Sequence, residues 1–289
     1  MRALGRALGW QVYKRFGRKP LRVDFVDGFA ILAFPDSGSA SNLFYGNHYF
    51  DLDEMTLLRR VLRPGDGFVD GGANIGVYAM LAASLVGRSG RVIAFEPFPA
   101  HAERLRANAA LNDFSQVELR AAALAGAVGK VSFVTNRDVS NRIQTRTDAD
   151  SDTIEVDCTT LDQALGDLPD FTIAKLDLEG SEIDALDGAG RLLGDANPAV
   201  WIVEWNVGLI GKRGHSPAEL IGRLESHGFR LVEVQGERLV PAAPPEWSGN
   251  IVAVHDSVIA AVEARLKERP AVAPARWTLP RPANVPAAR

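Results

Sequence analysis

Hydrophobic positions recur in two rhythms along this chain. Short apolar runs alternate with longer stretches whose apolar residues fall every three or four positions. The first rhythm predicts buried strands and the second predicts helices. Runs at 67–70, 91–96, 117–123, 172–177, 199–204, 229–235 and 250–255 predict seven strands. Helical spacing at 75–86, 100–111, 181–193 and 216–227 separates most of them. Ser216-Pro217-Ala218-Glu219 opens the last of these with a cap, a first-turn proline and a capping-box acid. Such alternation predicts a doubly wound α/β fold, its mostly parallel sheet covered on both faces. The last two runs are joined through Pro241, Pro244 and Pro245 without a helix, which permits an antiparallel final strand. Further runs near 130–135 and 153–158 flank a polar loop at 136–152, and Leu161 to Leu165 predicts a short helix.

The flanks differ from this core. Residues 1–20 carry Arg2, Arg6, Lys14, Arg15, Arg18 and Lys19 and no acid, with Leu4, Leu8, Val12 and Phe16 at spacing four. This predicts an amphipathic helix with a core-facing stripe and a solvated basic face; the alternative is a surface for an acidic partner, an anionic substrate or a membrane. Two apolar patches at 21–34, split by Asp27-Gly28, predict a hairpin. Asp51 to Leu62 has helical spacing, and Arg63-Pro64-Gly65-Asp66-Gly67 ends it. After a helical pattern at 258–266 the chain turns to proline and alanine, a composition expected to stay extended or disordered. The expected organisation is an N-terminal helix and β cap over 1–50, a central α/β domain over 51–256, and a helix with a Pro/Ala-rich tail over 257–289.

Composition changes this picture little. The 289 residues are 46% hydrophobic and 24% charged, with net charge −4, so nothing argues for a nucleic-acid partner. No apolar run is long enough for a transmembrane segment, and no signal peptide is read at the start. The single cysteine, Cys158, fits a reducing, cytoplasmic setting and reads as a small core residue. Homo-oligomeric assembly stays open.

Candidate chemistry gathers at strand ends. Val69-Asp70-Gly71-Gly72-Ala73-Asn74-Ile75-Gly76 is a strand, a glycine turn and a helix start, the cradle of a nucleotide-like cofactor. Ligands of doubly wound sheets bind beyond the carboxyl ends of the strands, where Asp70 and Gly72 are expected. Glu96 ends the next strand, twenty residues after Gly76, where an acid can accept hydrogen bonds from ribose hydroxyls. Gly71, Ala73 and Gly76 occupy the dinucleotide-fingerprint spacings, but the central glycine is absent. With Asp70 beside it, that turn suits a cationic ligand such as S-adenosyl-L-methionine better than a pyrophosphate. Lys175-Leu176-Asp177-Leu178-Glu179-Gly180 is the third feature; in an extended chain Lys175, Asp177 and Glu179 share one side, and Gly180 is expected to leave room for substrate at the start of the next helix. Buried charges at a strand end must be paired or used. Glu204 ends the neighbouring strand and can join them. His215 is an alternative candidate base, Tyr45 and His48 are candidates for lining an acceptor pocket, and the loop residues Arg137, Asn141, Arg142 and Arg146 are candidates for covering it.

These motifs, with Phe95-Glu96-Pro97, Asn108, Leu111-Asn112, Thr160-Leu161-Asp162 and Ser181-Glu182, resemble the FkbM family of class I S-adenosylmethionine-dependent methyltransferases over about residues 50–255. The resemblance implies a Rossmann-like, seven-stranded sheet of class I methyltransferase type and S-adenosyl-L-methionine as cofactor. It implies cofactor binding by Asp70, Gly71, Gly72, Asn74, Gly76, Glu96 and Pro97. O-methylation of a sugar, glycan or secondary-metabolite hydroxyl is then expected. Asp177 is the expected general base, with Glu179, Glu204 and Lys175 around it. No metal is expected, the alternative being Mg²⁺ on the same carboxylates. The rival functions are an NAD-dependent oxidoreductase on this fold and a non-catalytic cofactor-binding scaffold; a bare scaffold has no need for these acids.

Overall fold

The computed structural model describes residues 2–25, 28–38, 40–41, 51–135, 141–145, 152–166, 168, 170–269 and 281–282, with only the backbone for 2–7 and 281–282. In chain order the strands are β1 Leu21–Asp24, β2 Ala30–Ala33, β3 Gly67–Gly71, β4 Arg91–Phe95, β5 Val117–Arg120, β6 Ala123–Leu124, β7 Gly129–Val134 and β8 Arg142–Ile143. They continue as β9 Thr153–Thr159, β10 Ile173–Leu176, β11 Val200–Asn206, β12 Phe229–Gln235, β13 Arg238–Pro241, β14 Ser248–His255 and β15 Arg281–Pro282.

The central sheet runs β13-β12-β14-β11-β10-β3-β4-β5. Its five strands from β5 to β11 are parallel, and β14, β12 and β13 are antiparallel additions. β3 and β10 are buried throughout, because helices cover both faces. Alternate residues feed separate cores. Phe68, Ala94, Ile173 and Ile202 face the helices Leu52–Val61 and Val77–Val86, while Val69, Ile93, Ala174 and Trp201 face Glu182–Asp187, Gly190–Gly194 and Pro217–Glu225. Each large side chain so buried contributes about 1.5–3 kcal/mol. No helix among the described residues is long and apolar enough to cross a membrane.

The seven expected strands are all in this sheet, and an eighth joins it. β13 turns back on β12 through Gly236 (φ 64°), and Pro241 pairs at the end of this edge strand, where its missing N–H costs least. The strand expected at 117–123 divides, because β6 leaves the central sheet for a second one, β6-β9-β7-β8. The helix expected at 181–193 is two helices, Glu182–Asp187 and Gly190–Gly194. Part of the Pro/Ala-rich tail is ordered, since β15 adds to β1 in a third sheet, β15-β1-β2.

The N-terminal helix Arg2–Phe16 forms, but its stripe does not face the core. Leu8, Val12 and Phe16 are 59%, 61% and 74% exposed, whereas Trp10 is 2% exposed. Trp10 offers more apolar surface, and its indole N–H reaches Ser41 Oγ at 3.0 Å, so it anchors the helix. Periodicity alone does not report that this helix has two apolar faces. The hairpin β1–β2 is tied to the core by two asparagines of the helix Pro99–Leu111 and its C-cap. Asn108 Oδ1 accepts from the Leu32 N–H at 2.8 Å, and its amide donates to the Ile75 carbonyl at 2.7 Å. Asn112 exchanges two hydrogen bonds with the backbone of Ala30.

Candidate functional site

Strand order reverses between β3 and β10, since the chain passes β3, β4 and β5 in one direction and re-enters at β10 on the other side. A crevice opens at the carboxyl ends of strands flanking such a switch point. Here it is a cavity of about 480 Å³, within the range of small-molecule sites. Register explains which side chains meet in it. Lys175 pairs with Asp70 across β10 and β3, and Leu176 with Val203 across β10 and β11, so Asp177 and Glu204 follow side by side.

One wall is the loop after β3. Gly72 has φ 78°, and a Cβ there would stand 1.9 Å from the Asp177 carbonyl oxygen, so only glycine lets the loop pass β10 so closely. Gly72 and Ala73 both donate to the Phe95 carbonyl, which binds the loop to the end of β4. Asn74 holds φ 52°, and its Oδ1 accepts from the Ile75 N–H. Glu96 closes this wall, accepting from the N–H groups of Asn74 and Phe98 at 2.8 Å each, with His101 Nδ1 at 3.9 Å. Burial raises the Glu96 carboxyl, against the pull of His101 and the two N–H donors. Asp70 is 1% exposed and pushed up to about 7, chiefly by burial; the Lys175 charge opposes this, Asp177 adds to it, and the Ala79 N–H opposes it. Its Oδ2 accepts no hydrogen bond among the described residues.

The other wall is acidic. Lys175 Nζ, 2% exposed, donates to Asp177 Oδ2 at 2.7 Å and sits 4.6 Å from the centroid of the Tyr78 ring. Burial would lower its ammonium, but Asp177 and Asp70 outweigh that and raise it. Glu179 takes φ 54°, an uncommon conformation for a residue with a Cβ, and its N–H donates to Glu204 Oε2 at 3.1 Å. Burial, then Asp177 and Glu182, push Glu179 to about 7, while Arg142 and Lys175 oppose the rise. Burial and the neighbours Asp177, Glu182 and Glu179 push Glu204 to about 10. Beneath them Glu182, 1% exposed, accepts from the Leu178 and Gly180 N–H groups. Among the described residues, Asp177, Glu179 and Glu204 form the one group whose ligand atoms, within 4.8 Å of one another, could hold a metal ion.

Of the sequence-derived residues, Asp70, Gly72, Asn74, Glu96, Pro97, Lys175, Asp177, Glu179 and Glu204 line the cavity. Gly71 and Gly76 do not. Gly71 packs against Leu176 and Leu124, and Gly76, at φ 86°, lets the next helix start against Leu105. Gly180 does not open space for an acceptor; it is pressed against Leu209. His215 stands outside the lining, 2.9 Å from Glu219 Oε2 in the capping box. Asp162 caps the helix Gly190–Gly194 through the Arg191 and Leu192 N–H groups. Asn141 lines the cavity, and the buried Arg142 beside it opposes Glu179 electrostatically. Tyr45, His48, Arg137 and Arg146 lie outside the described residues.

Several lining residues carry no motif. Tyr78 donates to Asp51 Oδ2 at 2.9 Å, and burial raises both groups. Asn206, Ser248 and Asn250 are brought in by the antiparallel β11–β14 register, which pairs Glu204 with Asn250 and Asn206 with Ser248. The one local signal for this group is the period-two placement of Glu204 and Asn206.

The cradle fits an adenosyl sulfonium cofactor. Asp70 Oδ2 is a buried acceptor without a hydrogen-bond donor, and its high proton affinity is what a nearby cation would relieve. Each Glu96 oxygen accepts one N–H and keeps capacity for a hydroxyl.

Residues 70–231, more than half of the chain, match the profile of the methyltransferase FkbM domain. No curated protein matches. Among solved structures, a methyltransferase FkbM from Methylobacillus flagellatus is 17% identical with TM-score 0.44, over 88% of this chain and 59% of that one. This chain therefore spans less than two thirds of that relative. An S-adenosylmethionine-dependent O-methyltransferase from Thermotoga maritima is 13% identical with TM-score 0.43, over 82% and 92% of the two chains. Fibrillarin from Aeropyrum pernix, with natively bound S-adenosyl-L-methionine, is 12% identical with TM-score 0.38, over 70% and 73%.

Proposed function

Because the chain belongs to the FkbM methyltransferase family, with S-adenosyl-L-methionine as its cofactor, we propose that it methylates a hydroxyl group of a sugar, glycan or secondary metabolite, with Asp177 as the general base. The observation that carries this reading is the Lys175–Asp177 ion pair at the strand switch point, in a cavity also lined by Tyr78, Asn206, Ser248 and Asn250. That polar lining suits an acceptor rich in hydroxyls.

When bound, S-adenosyl-L-methionine supplies an activated methyl group on a sulfonium. Asp70, Gly72, Asn74, Glu96 and Pro97 would hold it, with Glu96 on the ribose hydroxyls and Asp70 as a nearby negative charge. A hydroxyl is a weak nucleophile while protonated, so the chain must take that proton and fix the oxygen in line. Asp177 takes the proton, and Lys175 holds its carboxylate through Oδ2. Glu204, protonated at neutral pH, donates a hydrogen bond that orients the acceptor, and the Glu179 N–H fixes its other oxygen.

The test is a methyl-transfer screen over hydroxylated metabolites and glycans, read by mass gain, with Asp177→Asn alongside. Loss of a general base is expected to lower turnover about 10²–10⁴-fold while leaving cofactor affinity unchanged. Full turnover by this variant would remove Asp177 from the role. Turnover that persists in EDTA is expected; abolition by EDTA and recovery with Mg²⁺ would instead put a cation on Asp177, Glu179 and Glu204.

A further inference from the structure

The N-terminal helix presents a face that the catalytic reading leaves unused. Leu8, Val12 and Phe16 stand at successive four-residue steps, each more than half exposed, while Trp10 buries the opposite side. Single exposed apolar residues are ordinary on a protein surface, but three large ones in one stripe are not. Arg15 on the helix and Arg18 and Lys19 just after its end are exposed, and the first acid of the chain is Asp24. The helix is held from behind, since Lys14 Nζ shares Ser41 Oγ with Trp10 at 3.2 Å and the Tyr13 hydroxyl donates to the Lys19 carbonyl at 2.8 Å.

We propose that this face docks the enzyme on an anionic lipid bilayer, with Leu8, Val12 and Phe16 entering the boundary between headgroups and acyl chains and Arg15, Arg18 and Lys19 on the headgroup charges. Charge complementarity selects this occupant. The helix has a polar face with no acid, and an interfacial helix needs an apolar stripe beside a basic one. A second copy of the chain is disfavoured, because a symmetric contact through this stripe would set the two basic rims against each other. The helix is only fifteen residues long, so it lies on the surface and does not span it.

The experiment is co-sedimentation of the full chain with phosphatidylcholine vesicles, with and without about 30 mol% phosphatidylserine, at low and high salt. Binding is expected only to the anionic vesicles and is expected to fall as salt rises. Replacing Arg15, Arg18 and Lys19 together by alanine is expected to weaken it by about fivefold per charge removed. The triple change Leu8→Ser, Val12→Ser and Phe16→Ser is expected to abolish it. These side chains are solvent-facing, so unchanged unfolding midpoints would show that both variants fold. Three results would overturn the proposal: no sedimentation with anionic vesicles, equal binding to neutral ones, or triple variants that bind as the wild type does. A wild-type dimer in analytical ultracentrifugation that the serine variant converts to a monomer would give the face to a second copy instead.

Discussion

Glu204→Gln tests the electrostatics of the acidic wall directly. Glu204 is held near 10 in the folded protein, against an ordinary value of 4.5, by burial and by Asp177, Glu182 and Glu179. Glutamine has the shape of the protonated form, and its carbonyl can accept the Glu179 N–H that Glu204 Oε2 accepts. The folded-state value is the higher one, so the stability Glu204 contributes is complete below pH 4.5. It drains away as pH climbs toward about 10. Between pH 6 and 8 the folded protein retains one proton here that the unfolded chain has released. That difference steadily removes stability across the interval, on the order of 3 kcal/mol in all. Asp70, Glu179 and Glu182, each pushed to about 7, slope the same way in both proteins. Urea unfolding of the cofactor-free protein at pH 6, 7 and 8 measures the effect. The wild type is expected to lose stability with rising pH, and the variant is expected to lose less between pH 6 and 8, by on the order of 3 kcal/mol. Parallel profiles for the two proteins would refute a protonated Glu204, and with it the donor role in acceptor binding.

Three more substitutions probe the frame of the site. Gly72→Ala puts a Cβ against the Asp177 carbonyl oxygen; thermal unfolding should show a loss of at least about 2 kcal/mol, and calorimetry a parallel loss of cofactor affinity. Glu179→Gly relaxes a left-handed backbone, so stability should rise by about 1 kcal/mol while methyl transfer falls. Asn108→Ala leaves the Leu32 N–H and the Ile75 carbonyl without their partner, and urea unfolding should show a loss of about 2–4 kcal/mol.

How much of this was legible in the sequence follows from the range of each signal. The strands were readable because parallel strands buried on both faces leave unbroken apolar runs, and Val69 and Phe68 serve opposite cores from adjacent positions. The loop after β3 was readable because its glycine and acid are contiguous. Ser248 and Asn250 were not, because only the β11–β14 register brings them to Glu204, and Asp51 and Tyr78 were not, because they come from the N-cap of the helix Leu52–Val61 and from the helix Val77–Val86, packed against the sheet. Gly180 was misread because a glycine before a helix signals a missing side chain without saying what fills its place, here Leu209. The N-terminal stripe was misread because spacing reveals an apolar face and not whether a larger one, at Trp10, wins the contact.

Asn108 has a consequence beyond its two hydrogen bonds. One fully buried carboxamide joins Leu32 in the N-terminal hairpin to Ile75 in the cofactor loop. Neither segment can shift alone without stranding a polar group, so the two form one mechanical unit. Loss of this carboxamide is therefore expected to loosen the loop and the hairpin together, two segments 43 positions apart in the chain.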